Sequence, residues 1–123
     1  MHSIFANHKQ KATNGMRALT FKNKTLAIVD KRKPAINDGE ALIRPILGGI
    51  CNTDIELFEG YYQFEGVPGH EFVGIVDESP GNPQLEGRRV VSEINCGCGS
   101  CRWCKVGKQG HCASRRVIGI QGW

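Results

Sequence analysis

No run in this 123-residue chain approaches the ~20 consecutive apolar residues of a membrane-spanning helix, and its N-terminal region has no apolar core of the secretory kind. A helical membrane protein is therefore excluded, and a soluble, cytoplasmic one is expected. Acidic residues are missing from residues 96–123, which carry five basic ones, and from residues 1–15, which carry Lys9 and Lys11. Residues 16–95 hold nine basic and twelve acidic residues, so the three segments sum to +2, −3 and +5. Aromatic side chains are scarce at 7%, and the basic C-terminal segment has only Trp103 and Trp123, too few for a base-stacking surface. Internal repeats and low-complexity stretches are also lacking, and the length suits one modest core.

Against these absences stand six cysteines, four of them, Cys98, Cys101, Cys104 and Cys112, in the pattern C-x-x-C-x-x-C-x7-C. Short regular spacing lets several thiolates reach one ion. Zinc suits four soft ligands, and four cysteines close its tetrahedron with no position left for substrate, so such a site is structural. An even cysteine count in a secreted protein suggests disulfides instead. Here five of the six lie within seventeen residues and no signal core precedes them, which favours metal in a reducing compartment. Cys96 is the substitute ligand should Cys98 not serve, and His111, beside Cys112, reads as a surface residue. Four thiolates around Zn(II) leave a charge of about −2, so Arg102, Lys105, Lys108, Arg115 and Arg116 read as counter-charge. The competing reading is a stand-alone zinc-ribbon-like module whose basic lobe grips nucleic acid or a protein partner.

Residues 1–15 read as a flexible tail, and a single domain is expected over 16–123. Short strands are predicted at Ala18–Phe21, Thr25–Asp30, Glu40–Leu47, Phe72–Val76 and Arg89–Ile94, separated by turn-rich segments such as Ser79-Pro80-Gly81-Asn82-Pro83. Pro45 makes the third strand an edge or a bulged one. A short helix is predicted over Asn52–Gly60, capped by Asn52 or Thr53 and ended by Gly60. The fold class is mainly β, a partly open barrel with a short helix and the cysteine lobe inserted into it.

Upstream of the lobe, Gly49-Ile50-Cys51-Asn52-Thr53-Asp54 is followed by Val67-Pro68-Gly69-His70-Glu71-Phe72-Val73-Gly74. With the G-x-R-V segment at Gly87–Val90 and the cysteine lobe, these residues resemble the zinc-dependent alcohol dehydrogenases of the medium-chain dehydrogenase/reductase superfamily, from about Met16 onward. The resemblance implies the GroES-like barrel of their catalytic domain. It implies that Cys51 and His70 are catalytic-zinc ligands, with Glu71 a nearby carboxylate that ligates in some members. It implies that Thr53 hydrogen-bonds the substrate alcohol and begins a proton relay, and that Asp54 orients the histidine. Glu56 falls where some members carry a relay histidine, and a solvated helix residue reads equally well there. The substrate implied is a small alcohol, polyol or carbonyl compound, with no nucleic acid and no membrane involved. The cofactors implied are one structural and one catalytic zinc, with NAD or NADP held by a nucleotide-binding domain. No G-x-G-x-x-G occurs in these 123 residues, and the family's usual third catalytic ligand lies beyond Trp123. The reading is thus of an N-terminal portion, inactive alone, whose full-length protein is a homo-oligomer.

Overall fold

The computed structural model describes residues 15–91 and 93–121. β1 (Gly15–Lys22) and β2 (Thr25–Arg32) form an antiparallel hairpin in register from Gly15↔Arg32 to Lys22↔Thr25. Its two-residue turn, Asn23-Lys24, has positive φ at both positions, 49° and 59°, which matches the twist of a tight hairpin. The strand thus opens at Gly15, inside the expected tail; the rest of that tail lies outside the described residues.

β4 (Phe72–Glu78) is the centre of a second sheet, with β3 (Leu42–Gly48) on one side and β5 (Arg89–Val91) on the other, both antiparallel. β3 is an edge strand, and its register slips between Pro45 and Leu47, as a proline without an N–H to donate requires. The strand expected over Arg89–Ile94 ends at Val91. Asn95–Cys96, as β6, pairs instead with β7 (Arg116–Val117), so the chain leaves the second sheet to enter the cysteine lobe. Three sheets that do not close on one another make the mainly β, partly open arrangement.

Between β3 and β4 lies α1 (Asn52–Phe58), whose one-sided burial is carried by Asp54 and Leu57. Its cap differs from the expected Asn52 or Thr53. Cys51 is the extended residue before the first turn, and its N–H donates to Asp54 Oδ2 at 3.0 Å. The Asp54 carboxylate thus makes the reciprocal half of a capping box, taking the N–H of the residue that precedes the first turn. The helix ends as predicted, Gly60 taking φ 102° while its N–H donates to the Leu57 carbonyl.

Among the described residues the buried apolar side chains are few: Ala18, Phe21, Leu57, Val76, Cys112 and Val117. Phe21 joins hairpin to helix through the ring of Phe58 at 4.9 Å, and its backbone exchanges hydrogen bonds with Gly66. Large apolar side chains on β2, β3 and β5, among them Ile28, Leu47 and Val91, stay exposed.

Candidate metal centres

The cysteine lobe is assembled from residues close in sequence. Cys101 precedes the one-turn helix α2 (Arg102–Lys105), which places Cys104 on the same side, with Sγ atoms 3.5 Å apart. The backbone N–H of Cys98 donates to Cys112 Sγ at 3.4 Å. The four sulfurs lie within 4.8 Å of one another, and Cys112 is buried. Cys96 is outside this group. All six cysteines are free thiols.

The local field favours the thiolate at Cys98 and Cys101 and the thiol at Cys104. The Ser100 hydroxyl beside Cys98 draws its thiol down to about 6, and the Cys104 backbone lowers Cys101. Burial pushes Cys104 up to about 11, so an ion entering the group must displace that proton. An all-sulfur set of four, closed to solvent on the Cys112 side, fits Zn(II).

The basic residues around the lobe are not all counter-charge to it. Arg116 Nη2 donates to Glu40 Oε1 at 2.8 Å, and Glu40 Oε2 accepts from the N–H and side-chain amide of Asn37. The Arg116 hydrogen bond, with Asn37 behind it, holds the Glu40 carboxyl down to about 2. Arg116 thus ties the lobe to the segment leading into β3, a contact the sequence reading missed. Arg102 stacks its guanidinium 4.6 Å from the Trp103 ring centre, and His111 is exposed beside the same ring.

The second group is assembled across the fold. Cys51 stands at the start of α1, His70 and Glu71 just before β4, and their ligand atoms lie within 4.8 Å of one another. Cys51 Sγ is 3.0 Å from His70 Nε2. Asp54, 4% exposed, links the two: Oδ2 accepts from the Cys51 N–H, and Oδ1 faces His70 Nδ1 at 3.5 Å. Neither Oδ1 nor Nδ1 makes a hydrogen bond, to the other or to any other group among the described residues. A proton on Nδ1 directed at the carboxylate leaves the Nε2 lone pair pointing towards the Cys51 sulfur, the tautomer a metal requires. One sulfur, one imidazole and one carboxylate in van der Waals reach of a common point fit zinc with a position left open.

A Cβ on Gly49 would lie 2.8 Å from Glu71 Oε2 and 3.3 Å from its Cβ, so the glycine is what lets Glu71 fold towards the group. A glycine pair directly after a strand was the available signal. Thr53 is half-buried on α1 beside Asp54; Glu56 is exposed on the same helix, accepting from Asn52 Nδ2 at 2.8 Å, and is no part of the group. An open groove of ≈ 400 Å³ borders His70 and Glu71, its other walls including Leu47, Phe72, Val91 and Ile94.

Comparison with known proteins gives the same family. The model of the alcohol dehydrogenase GroES-like domain matches residues 37–123. D-altritol 5-dehydrogenase of Agrobacterium fabrum is 32% identical over 111 residues, 85% of this chain and 33% of the relative. The alcohol dehydrogenase RspB of Escherichia coli CFT073, solved with NADH, superposes with a TM-score of 0.76 at 30% identity, covering 86% of this chain and 32% of the other. A thermostable alcohol dehydrogenase from Pyrobaculum aerophilum, solved with cobalt and zinc, gives a TM-score of 0.76 at 32% identity over 87% and 36% of the two chains. This chain spans about a third of the length of each of these proteins. The matched domain, together with two ligand clusters on a mainly β frame, makes the chain a member of the zinc-dependent alcohol dehydrogenases of the medium-chain dehydrogenase/reductase superfamily.

Proposed function

We propose that this chain is the zinc-bearing portion of an NAD(P)-dependent alcohol or polyol dehydrogenase. In this reading Cys98, Cys101, Cys104 and Cys112 hold a structural zinc, while Cys51, His70 and Glu71 hold the catalytic one. Zinc at the second group supplies a Lewis acid that acidifies an alcohol and stabilises negative charge on its oxygen as hydride departs. Asp54 keeps Cys51 and His70 at their 3.0 Å separation, from its buried position beneath both. The Thr53 hydroxyl, one residue before it on the same helix, would accept the substrate's hydroxyl proton while releasing its own towards solvent. Leu47, Phe72, Val91 and Ile94 present an apolar wall beside His70 that receives the substrate's carbon skeleton. Glu56, tied to Asn52 on the exposed face, hands protons to solvent. The hydride acceptor needs a nucleotide-binding segment, and these 123 residues contain no G-x-G-x-x-G, so the chain by itself does not turn over.

The observation that carries this reading is the placement of buried Asp54, which accepts from the Cys51 N–H with one oxygen and faces His70 Nδ1 at 3.5 Å with the other. A cysteine and a histidine that merely packed together need no carboxylate aimed at the far ring nitrogen. Cobalt(II) added to the chain with its lobe already zinc-filled tests it. A thiolate-to-cobalt charge-transfer band that disappears in Cys51→Ser and changes shape on adding a polyol supports the proposal. A spectrum indifferent to Cys51→Ser overturns it.

A further inference from the structure

The segment by which the chain leaves the cysteine lobe, residues 117–121, touches the other centre. Val117 is buried in β7, its N–H donates to the Gln121 carbonyl at 2.8 Å, and the N–H of Gln121 returns to the Val117 carbonyl at 2.9 Å. Ile118 N–H donates to the Ile94 carbonyl at 3.0 Å, and Ile94 walls the groove beside His70. At the tip of this turn is Gly119, buried, with φ +64°. A Cβ there would overlap the carbonyl oxygen of Gly69 and lie 2.6 Å and 2.7 Å from its carbonyl carbon and nitrogen. These are backbone atoms, which cannot swing aside as the end of a side chain does. The next residue is His70.

We infer that Gly119 is a positioning residue for His70: the lobe's exit turn rests directly on the Gly69 backbone and sets where the imidazole stands relative to Cys51. This inference rests on the proposed metal site at Cys51, His70 and Glu71. The turn is held on two sides, by β6 through β7 and by Ile94, whereas Gly69, at φ +114°, has nothing within 4 Å of where its own Cβ would point. Pressure at the contact is therefore relieved by moving Gly69. Any such movement is passed to the adjoining ring, since packed interiors transmit displacement instead of absorbing it. The Cys51–His70 spacing is thus governed by two supports, Asp54 from within the helix and Gly119 from the lobe.

The test uses the chain with its lobe zinc-filled and cobalt(II) as the probe of the second site. Gly119→Ala is expected to weaken cobalt binding roughly tenfold or more, in the range seen for residues that hold metal ligands in place. Gly87→Ala is the control for backbone strain: its φ of +76° is similar, but no atom lies within 4 Å of the added Cβ, and cobalt affinity should not change. Equal affinity in Gly119→Ala and wild type overturns the inference, as does equal weakening in the two variants. Wild-type chain that binds no cobalt sensitive to Cys51→Ser removes the proposed metal site, and this inference with it. Should Gly119→Ala fail to fold, wild-type amide spectra decide. Adding zinc to the second site is expected to shift the Gly119 resonance together with Gly69 and to leave Gly107 in place; an unmoved Gly119 overturns the inference.

Discussion

The two ligand clusters stand at opposite ends of a scale of locality, four sulfurs close in sequence against a sulfur, an imidazole and a carboxylate brought together by the fold. The lobe draws its four sulfurs from residues 98–112, with a single helical turn and a few backbone contacts to orient them. The Cys51, His70 and Glu71 group draws on a helix start and a strand start that meet only when α1 docks, and it needs the buried carboxylate of Asp54 to hold the join. In the proposed reading the local set takes its order from its own metal. A non-local set depends on the body of the domain, whose buried apolar residues are few.

The sharpest way to break this contrast is to remove Cys112, the buried member of the lobe. Cys112→Ser is expected to abolish zinc binding there and to unfold the β6–β7 hairpin, because a structural zinc carries on the order of 10 kcal/mol of folding free energy. Metal analysis with circular dichroism reads both effects, and Cys96→Ser, outside the group, should leave both unchanged. Next in size is Leu57→Ala. Loss of this fully buried side chain should cost about 2–5 kcal/mol in denaturant unfolding. It should loosen α1 and the second site while the lobe keeps its zinc; equal loss from both sites would erase the distinction drawn above.

Asp54→Asn changes charge and donor pattern at nearly constant volume. It is expected to weaken metal binding at Cys51 and His70 by about 10- to 100-fold, leaving lobe zinc and thermal midpoint near wild type. Competition against a chelator of known affinity measures it. The smallest effect belongs to Glu40. Its folded value of about 2 lies below the ordinary 4.5, so the ionised form stabilises the fold; that contribution is complete above about pH 4.5 and fades as the pH falls towards 2. Glu40→Gln should lower the unfolding midpoint at pH 6 by no more than a few degrees, as suits an exposed ion pair, and the gap from wild type should close on acidification.

The same contrast in locality decides what could be read from the sequence. The lobe was legible because its ligands announce themselves by spacing, and the strands at Ala18–Phe21 and Thr25–Asp30 and the irregularity at Pro45 because short β-rich runs and a missing N–H act within a few positions. The helix was found but its cap was misread. Asp54 looks like an ordinary first-turn acid, and only the fold shows that one of its oxygens caps Cys51 while the other meets His70. Cys51, His70 and Glu71 were singled out through family resemblance, since a lone cysteine and a His-Glu pair carry no spacing rule. The joins between lobe and body were not legible at all. Arg116 meets Glu40 across 76 positions, and nothing in either residue's neighbourhood marks the other as its partner. Gly119 and Gly69 are likewise matched only by the folded backbone, where the missing Cβ of Gly119 allows an approach to Gly69 that a side chain would block.

The claim that one chain builds two independent zinc sites, one local and one spanning the fold, is tested most directly by counting zinc. Wild-type chain, Cys51→Ser and Cys112→Ser would be exchanged into metal-buffered solution and analysed for bound zinc alongside protein concentration. The account predicts two ions in the wild type, one in Cys51→Ser with the fold retained, and loss of at least the lobe ion in Cys112→Ser. Zinc content unchanged by Cys51→Ser, or a wild type that binds a single ion lost only with Cys112, would contradict it.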